Sequence, residues 1–511
     1  MGFIAPSLWV VNEYGEGLRA RILKNRSLDR WIDFKSFQVF EESITYTALQ
    51  FYHGAPSEQV KCYFAPSGEI GSVNWDEAQD FILFAELPGA EVWNFLPRPE
   101  LEFINRLKKS RLHLGDSKLT KQIFQGLITS ADHIYHLERL GPGRYLKTKP
   151  FKEEIQMEDE LMKPLVSGAE AKRYQKPSTT TYLLFPYDLS GTSPRLWLDK
   201  EMQHKFPKGW AYLKKHEKEL RARERGKFDD GQWYRFGRHQ NIDKQEIPKL
   251  GVAQTVPGMR VFYDHPNGEF CFNNVRVNGI IPRNKSDAWF LLGILNAPVA
   301  DFVFRRIAKP KEGGYFEANK QFIAPLPIPS ATNDQKREVG KKARGLQELH
   351  TARRDALDAL EARLTSTHTE EDKSFKQSVK ADLQIIQARL RPGASLAAGN
   401  RGGELRFLLD GVAVVKDVFV DEADADFYAA QWQHISRTTT VTDKMTAERL
   451  VAALIKVRKT GNATLRKQVV SLDAKIQDLD AKIERAEAEM NELVYSLYRL
   501  TPDERRLVGG G

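Results

Sequence analysis

Basic and aromatic side chains are interleaved between residues 201 and 260. This stretch holds 14 Lys and Arg against 8 Asp and Glu. Guanidinium groups pair with phosphate or guanine, amides pair with adenine, and aromatic rings stack on bases. The pattern therefore predicts contact with a polyanion that has readable base edges. The residues that carry this prediction are Lys214, Arg221, Arg223, Arg225, Trp233, Tyr234, Arg235, Arg238, Gln240 and Asn241.

Two alternatives stay open for this stretch. Its lysines and glutamates also fit a solvated helix face on which opposite charges partly cancel. Trp233 and Tyr234 are large adjacent aromatics that are costly to expose, so they also fit core anchors.

Other catalytic patterns in the sequence are weak. No glycine-rich loop is followed by Lys and Ser or Thr, as a phosphate-binding ATPase loop requires. Residues 14–17 hold one Gly-x-Gly without a later glycine, which predicts a turn. His133 and His136 share a helix face without further ligands, so no metal site is expected. No nucleophile, base and orienting group can be assembled, so no complete catalytic site is expected.

Composition predicts a globular protein of about three domains. The 511 residues carry a net charge of +9, with 41% apolar and 28% charged residues, which excludes a wholly disordered chain. Two cysteines, Cys62 and Cys271, are too few for a disulfide framework. Neither an apolar run of membrane-spanning length nor a signal peptide is evident. We therefore expect a cytoplasmic location and no membrane partner.

Apolar periodicity predicts the elements of the first hundred residues. Residues 31–40 and 44–52 are rich in aromatic and β-branched types, which favours strands. Residues 17–23 have helical spacing. With the apolar start at residues 3–5, the order strand, helix, strand, strand is typical of the end of an α/β sheet.

The C-terminal third is predicted to be helical. Prolines at 325, 327 and 329 are expected to end the preceding domain, because they cannot continue a ladder or a helix. Residues 335–364 form one predicted helix, and apolar residues spaced by four and three over 465–500 form a heptad seam of about five heptads. An antiparallel pairing of these two helices is favoured over pairing with a second subunit. Residues 391–403 are predicted to be a flexible linker, and 405–420 a short β insertion turning at Asp410 and Gly411.

Several segments, in order, resemble the adenine-N6 DNA methyltransferases of the TaqI-like class, which includes type IIG and phage-defence enzymes. The resemblance spans most of the chain. The segments are GFIAP at 2–6, GLRARIL at 17–23, QVFE at 38–41, TYTALQF at 45–51, QGLITSAD at 125–132, LMKPLVSG at 161–168, KRY at 172–174, FPY at 185–187, WY at 233–234, GR at 237–238, IPKL at 247–250, PNG at 266–268, LLGILN at 291–296, LPIP at 326–329 and YSLYRLTPDE at 495–504.

The resemblance implies the C-terminal part of such an enzyme. The family binds S-adenosylmethionine through a glycine-containing loop and the target adenine through an Asn/Asp-Pro-Pro-aromatic loop, whereas this sequence has no Pro-Pro pair. We therefore expect no cofactor to bind this chain alone, and S-adenosylmethionine to bind the complete enzyme. The chain would be either a gene fragment or one half of a split enzyme.

The implied fold is an α/β remnant, the end of a Rossmann-like methyltransferase sheet, over residues 1–100. An α+β target-recognition domain follows over 101–330, and a helical, coiled-coil-like region with the β insertion over 331–511. Phe40 matches the aromatic that contacts the flipped base in this family, and a strand-end core residue is its alternative. Lys172, Arg173, Lys249 and the run from Arg221 to Arg225 are the implied phosphate contacts. Arg235, Arg238, Gln240 and Asn241 are the implied base readers.

Two functional hypotheses follow. In the first, the chain is the sequence-specific DNA-recognition part of an S-adenosylmethionine-dependent adenine-N6 methyltransferase in a restriction-modification or phage-defence system. Its partners would be double-stranded DNA and either a separate N-terminal methyltransferase half or another restriction-modification subunit. In the second, it is a non-enzymatic coiled-coil scaffold or a DNA-binding subunit of a defence complex. Steep salt dependence of duplex binding would favour the first over a scaffold.

Overall fold

The computed structural model describes residues 1–35, 37–40, 45–71, 73, 80–109, 112–274, 276–442 and 444–509. The chain is a mixed α/β protein that divides into two compact units. Residues 1–347 and 488–511 form the first unit, and residues 348–487 form the second. The first unit runs through position 330 without a border, while the three-part division of the chain stays a prediction.

A five-stranded mixed sheet opens the first unit. Its strands are β1 (Gly2–Pro6), β2 (Leu28–Asp33), β3 (Thr47–Tyr52), β4 (Gln59–Phe64) and β5 (Phe81–Leu83), in the order β1-β3-β2-β4-β5. β2 and β4 are parallel, and the other neighbours are antiparallel.

The predicted order of strand, helix, strand, strand is confirmed here, with the helix at Glu16–Asn25. β2 ends at Asp33 rather than at residue 40, because Lys35 turns the backbone into the left-handed region. Ile44, the expected start of β3, lies outside the described residues.

Three further sheets build most of the first unit. A six-stranded sheet has the order Glu153–Gln156, Arg144–Lys147, His136–Gly141, Thr181–Leu184, Met162–Val166 and Cys271–Phe272. A four-stranded sheet has the order Val261–Asp264, Lys249–Ala253, Val277–Pro282 and Thr120–Gln125. A three-stranded sheet has the order Thr255–Val256, Tyr315–Glu317 and Pro310–Lys311. Tyr187–Asp188 and Arg195–Leu196 form a separate pair.

The prolines of residues 325–329 do not end strand pairing, contrary to the reasoning that placed a domain boundary there, and the boundary itself stays a prediction. Pro327–Ile328 is a short strand that pairs with Leu112–His113. Proline removes only a donor from such a pair, and the Leu326 carbonyl still accepts from the Leu114 amide at 2.9 Å.

Helices cover these sheets. The apolar helix Ala288–Leu295 is buried on nearly all sides, as an all-round hydrophobic helix requires. The other helices of the first unit are Arg98–Lys109, Asp132–Tyr135, Asp199–Lys205, Pro207–Lys215, Glu217–Gly226, Pro298–Ile307, Lys320–Ile323 and Pro502–Gly509.

Two long helices, Asn333–Leu364 and Ala463–Tyr498, lie where the apolar periodicity predicts them. Each has residues in both units. In the second unit His350 meets Glu487 at 3.0 Å and Arg363 donates to Gln468 at 3.0 Å, so the two helices run antiparallel within one chain. Ala356, Leu360, Val469 and Ile476 are buried between them.

The rest of the second unit is a small α/β body. Its strands are Leu396–Arg401, Glu404–Leu409 and Val412–Phe419, with a separate pair at Glu370–Glu371 and Arg458–Lys459. Its helices are Phe375–Ser378, Leu383–Arg389, Glu422–Thr438 and Ala447–Leu454.

The turn predicted at Asp410 and Gly411 is present, with φ of 48° and 76°. The linker predicted at 391–403 is wrong, because Leu396–Arg401 is a strand and Gly402 and Gly403 form its hairpin turn.

Candidate nucleic-acid interface

Three loops of the first unit meet beside the six-stranded sheet, at residues 128–132, 223–227 and 236–241. We call them the three-loop surface. The Gly237 amide donates to the Thr129 carbonyl at 3.0 Å, and the Arg238 amide donates to the Ile128 carbonyl at 3.2 Å. Backbone hydrogen bonds therefore fix the third loop against the first, so that residues distant in sequence share one surface.

Arg223 holds the loops together from inside. Its side chain is buried and donates to the carbonyls of Leu220 at 2.9 Å, Thr129 at 2.7 Å, Trp233 at 2.6 Å and Arg235 at 2.9 Å. Burial lowers the pKa of the Arg223 guanidinium. The prediction that Arg223 contacts phosphate is wrong, because its donors are used within the protein.

Backbone of left-handed conformation is concentrated on the three-loop surface. Ser130, Glu224, Arg225, Gly226 and Asn241 have φ of 56°, 48°, 62°, 84° and 65°. Such conformations are unfavourable for non-glycine residues and persist where the surrounding structure enforces them, often at binding sites. The strain marks this surface as a candidate site.

Gly237 sets the close approach of two of the loops. A Cβ atom at this position would lie 2.0 Å from the Ser130 hydroxyl, so only glycine fits. The GR motif at 237–238 therefore has a physical reason in the packing of its loop.

The outer side of the three-loop surface carries the types of side chain that read bases. Arg225, Arg238 and Gln240 are exposed. Glu224 accepts from Arg238 at 2.6 Å and from the Ser130 hydroxyl at 3.2 Å, and its hydrogen bond with Arg238 lowers the pKa of Glu224. Glu224 thus orients Arg238, and the Arg238 side chain stays half exposed.

Asn241 extends this polar surface toward the four-stranded sheet. Its amide donates to the Gln125 carbonyl at 3.0 Å and accepts from Gln122 at 3.3 Å. An amide held at its inner side presents a defined outer edge, and bidentate amide contacts distinguish adenine.

A cavity of about 380 Å³ opens at the edge of this surface, between residues 127–133 and the adjacent Asn273 and Asn274. The Asn274 side-chain oxygen is buried and has no hydrogen-bond partner among the residues that the structure describes. Sequence reasoning missed these two asparagines, although an Asn-Asn pair between two apolar segments is a polar signal at a strand end.

Trp233 and Tyr234 do not lie on the surface. They are 3% and 2% exposed and belong to the core under the six-stranded sheet, where Trp233 packs against Trp210 at 5.6 Å. The Tyr234 hydroxyl donates to the Trp197 carbonyl at 2.5 Å. The prediction that these two rings stack on bases is therefore wrong, and both residues are core anchors, as the alternative predicts.

Lys249 is also internal. It is fully buried and pairs with Asp264 at 2.8 Å, while donating to the Gln245 carbonyl at 2.6 Å. Its predicted phosphate contact is wrong, because the charge is already neutralised by a buried carboxylate.

The remaining predicted residues are spread over the first unit. Arg235 is largely buried and pairs with Asp230 at 2.6 Å. Lys214 and Arg221 both pair with Glu217, at 2.5 and 2.7 Å, which fits the open alternative of a charge-balanced helix face. Lys172 is exposed, and Arg173 donates to the Asn296 carbonyl at 3.0 Å.

Phe40 is 43% exposed and lies outside β2, so it is not a strand-end core residue. Near the carboxyl ends of the parallel strands β2 and β4 lies a cavity of about 480 Å³, which we call the sheet-end cavity. Aromatic rings of Tyr46, Phe64, Trp93 and Phe316 line it. The buried Tyr46 hydroxyl has no hydrogen-bond partner in the described part of the chain, and burial and Glu312 raise its pKa.

The described residues contain no group of three or more His, Cys, Asp or Glu side chains placed to hold a metal ion. Within the same residues no single helix is long and apolar enough to cross a bilayer; only Lys285–Leu295 with Pro298–Ile307, bent by 73°, pass that test as a pair.

No family model matches the sequence. Curated relatives do match, and they are methyltransferases of type II restriction-modification systems. The restriction enzyme and methyltransferase RM.Eco57I of Escherichia coli is 21% identical over 70% of this chain and 38% of its own length. M.BstVI of Geobacillus stearothermophilus is 22% identical over 66% of this chain and 60% of its own. M.XhoI of Xanthomonas vasicola is 22% identical over 65% of this chain and 59% of its own length. The chain thus spans between 38% and 60% of these relatives.

Solved structures show a more distant likeness. The type IIL restriction-modification enzyme MmeI in complex with DNA is 12% identical, with a TM-score of 0.43 over 68% of this chain and 41% of its own. The type IIG restriction endonuclease BpuSI is 15% identical, with a TM-score of 0.32 over 67% of this chain and 42% of its own.

Proposed function

We propose that this chain is the DNA-recognition part of an S-adenosylmethionine-dependent adenine-N6 methyltransferase in a restriction-modification or phage-defence system. The observation that carries the proposal is the three-loop surface, which presents the guanidinium and amide groups of Arg225, Arg238, Gln240 and Asn241; Arg225 and Asn241 lie on left-handed backbone. These are the groups that read guanine and adenine edges in the major groove. The homology to type II methyltransferases over about two thirds of the chain supports it.

Phe40 and the sheet-end cavity support a role in holding an extruded base. An aromatic face is what an unstacked purine needs, and 43% of Phe40 is open to solvent. The segment of Phe40 follows β2, and the sheet-end cavity lies near the end of the same strand. The target adenine would leave the duplex toward this end of the sheet.

The glycine-containing and Pro-Pro loops of the resembled family are not evident in this sequence, which has no Pro-Pro pair. The Gly-x-Gly turn at residues 14–17 is tightly packed: a Cβ at Gly15 would lie 1.8 Å from the Trp9 carbonyl oxygen and 2.7 Å from Arg19. We therefore propose that another segment or polypeptide binds the cofactor. The edge strand β1 supports this, since Phe3 and Ile4 are each about half exposed on an edge without charged side chains.

Selection from a random pool of duplexes tests the proposal. We expect an enriched motif containing adenine, bound with an affinity that falls steeply with salt. Changing Arg238 and Gln240 to alanine should relax the motif at one or two positions, each by about 1–3 kcal/mol of discrimination. Gln384→Ala, an exposed glutamine of the second unit, is the matched control and should leave the motif unchanged.

Two results would contradict the proposal. Absence of duplex affinity even in dilute buffer would favour the scaffold alternative. Transfer of a labelled methyl group from S-adenosylmethionine to DNA by the chain unaided would contradict the proposed division of labour.

A further inference from the structure

A basic groove in the first unit lies outside the three-loop surface and outside the basic stretch of residues 201–260. It has a volume of about 590 Å³ and runs between the start of the long helix Asn333–Leu364 and residues 286–289. Lys336, Arg337, Lys341 and Arg344 line it, together with Trp289. Asp287 is the one carboxylate among its lining residues, all of which the structure describes.

The cations of this groove are arranged in a row. Arg337, Lys341 and Arg344 are spaced by four and three residues, so they follow one face of the helix. From first to last they span about 10 Å along the helix axis at 1.5 Å per residue. One strand of a DNA duplex carries about three phosphates over that length. The row therefore matches the charge spacing of a nucleic-acid backbone.

Pairing within the protein leaves part of this charge available. Lys336 is neutralised by Asp287 at 3.1 Å, and Arg337 pairs with Asp334 next to solvent. Lys341 is exposed and makes no ion pair with any described residue. The groove also begins at the amino end of a 32-residue helix, where the helix dipole adds positive potential.

His265 lies beside the end of the groove. Burial, Arg344 and Lys176 lower the pKa of His265, while Asp264 and Glu269 act in the opposite direction, and Lys176 pairs with Glu269 at 2.8 Å. His265 stacks near Trp289, with ring centroids 5.4 Å apart. Gly340 keeps the floor open, since a Cβ there would come within 3.2 Å of the Trp289 side chain.

We propose that this groove is a second DNA contact of the chain, binding the phosphate backbone of duplex DNA without reading its sequence. The inference rests on the proposed function and adds a site with a different role, because it supplies positioning affinity while the three-loop surface supplies specificity. A row of cations with one aromatic wall and a single paired carboxylate has the charge pattern of such a contact.

The test is a double variant, Arg337→Gln with Lys341→Gln, in the full chain. Both side chains are exposed, so thermal stability should change little. We expect the slope of log affinity against log salt to fall by about 2, and duplex affinity near 0.1 M salt to fall on the order of ten- to a hundred-fold. The loss should be equal for the selected motif and for unrelated duplexes.

The matched control is Lys467→Gln with Lys475→Gln, which removes the same charge from exposed positions of the second unit. It should leave the slope unchanged. Wild-type slope and affinity in the groove variant would overturn the inference while leaving the proposed function standing. A loss of affinity for single-stranded RNA alone would also overturn the inference, since the groove would then bind another nucleic acid. Failure of the wild-type chain to bind duplex would refute the proposed function itself.

Discussion

At the residue scale, the same arginine-rich run supplies one internal tie and one exposed cation. Arg223 and Arg225 are two residues apart, and the sequence assigns both to phosphate. Arg223 donates to four carbonyls from a buried position, whereas Arg225 points to solvent on left-handed backbone. Neighbouring positions of identical type diverge because the chain turns sharply at residues 224–226, which no periodicity reveals.

The pair gives a matched mutational test. Arg223→Ala should lower the free energy of unfolding by about 2–4 kcal/mol, because it leaves buried carbonyls without donors. Arg225→Ala should change it by less than about 0.5 kcal/mol and should weaken duplex binding instead. Urea denaturation and duplex titration separate the two. Equal losses of stability in the Arg223→Ala and Arg225→Ala variants would contradict the structural role of Arg223.

Lys249 shows how a buried ion pair hides from sequence reasoning. Its predicted role followed from the IPKL motif, but the partner Asp264 comes from the next strand of the sheet. Removing one partner of such a pair leaves an uncompensated buried charge, which costs about 3–5 kcal/mol.

We therefore expect Lys249→Met to unfold at a much lower urea concentration, with a loss of about 3–5 kcal/mol in the free energy of unfolding. Adding Asp264→Asn should restore part of the stability, because it removes the uncompensated charge, while its single amide oxygen replaces only one of the two carboxylate oxygens that accept from the Glu269 and Phe270 amides. Urea titration of both variants checks this. No recovery in the double variant would mean that the charge itself is not the cause.

At the element scale, regular apolar spacing was enough to locate the long helices and the first strands. The helix at Asn333–Leu364 and the turn at Asp410 follow directly from local pattern. Predictions from glycine and proline were wrong where strand pairing sets the structure. Gly402 and Gly403 close a hairpin rather than forming a linker, and Pro327 continues a strand pair. For the candidate site, Arg238, Gln240 and Asn241 were identified from residue type. Asn274 and the role of Gly237 depend on loops that meet only in the fold.

Gly237 offers the element-scale experiment. Gly237→Ala forces a methyl group against Ser130, so the loop of residues 236–241 must shift. We expect both a lower thermal midpoint and a duplex affinity reduced by ten-fold or more. Combining it with Ser130→Gly removes the hydroxyl that the methyl group meets and relieves the left-handed strain at φ 56°. The double variant should regain affinity; if it does not, steric contact with Ser130 is not what fixes the loop.

At the scale of the whole molecule, the proposed DNA contacts all lie in the first unit. Residues 128–132, 223–227, 236–241 and the groove at 286–344 belong to it. Within the second unit, residues 369–459 connect the two antiparallel helices, and the residues that flank this segment are close together: the Thr460 hydroxyl donates to the His368 carbonyl at 2.7 Å. Residues 369–459 can therefore be excised and the gap closed by a short Gly-Ser linker.

We expect this excised protein to bind duplex DNA within about two-fold of the full chain, with the same salt slope, because no phosphate contact is lost. Its thermal midpoint should fall, since Phe427 and Ala430 no longer cover Ala356 and Leu360. Circular dichroism establishes that the helices persist, and anisotropy titration measures binding. A drop in both affinity and slope would mean that the second unit also touches DNA, and the assignment of binding to the first unit would have to be abandoned.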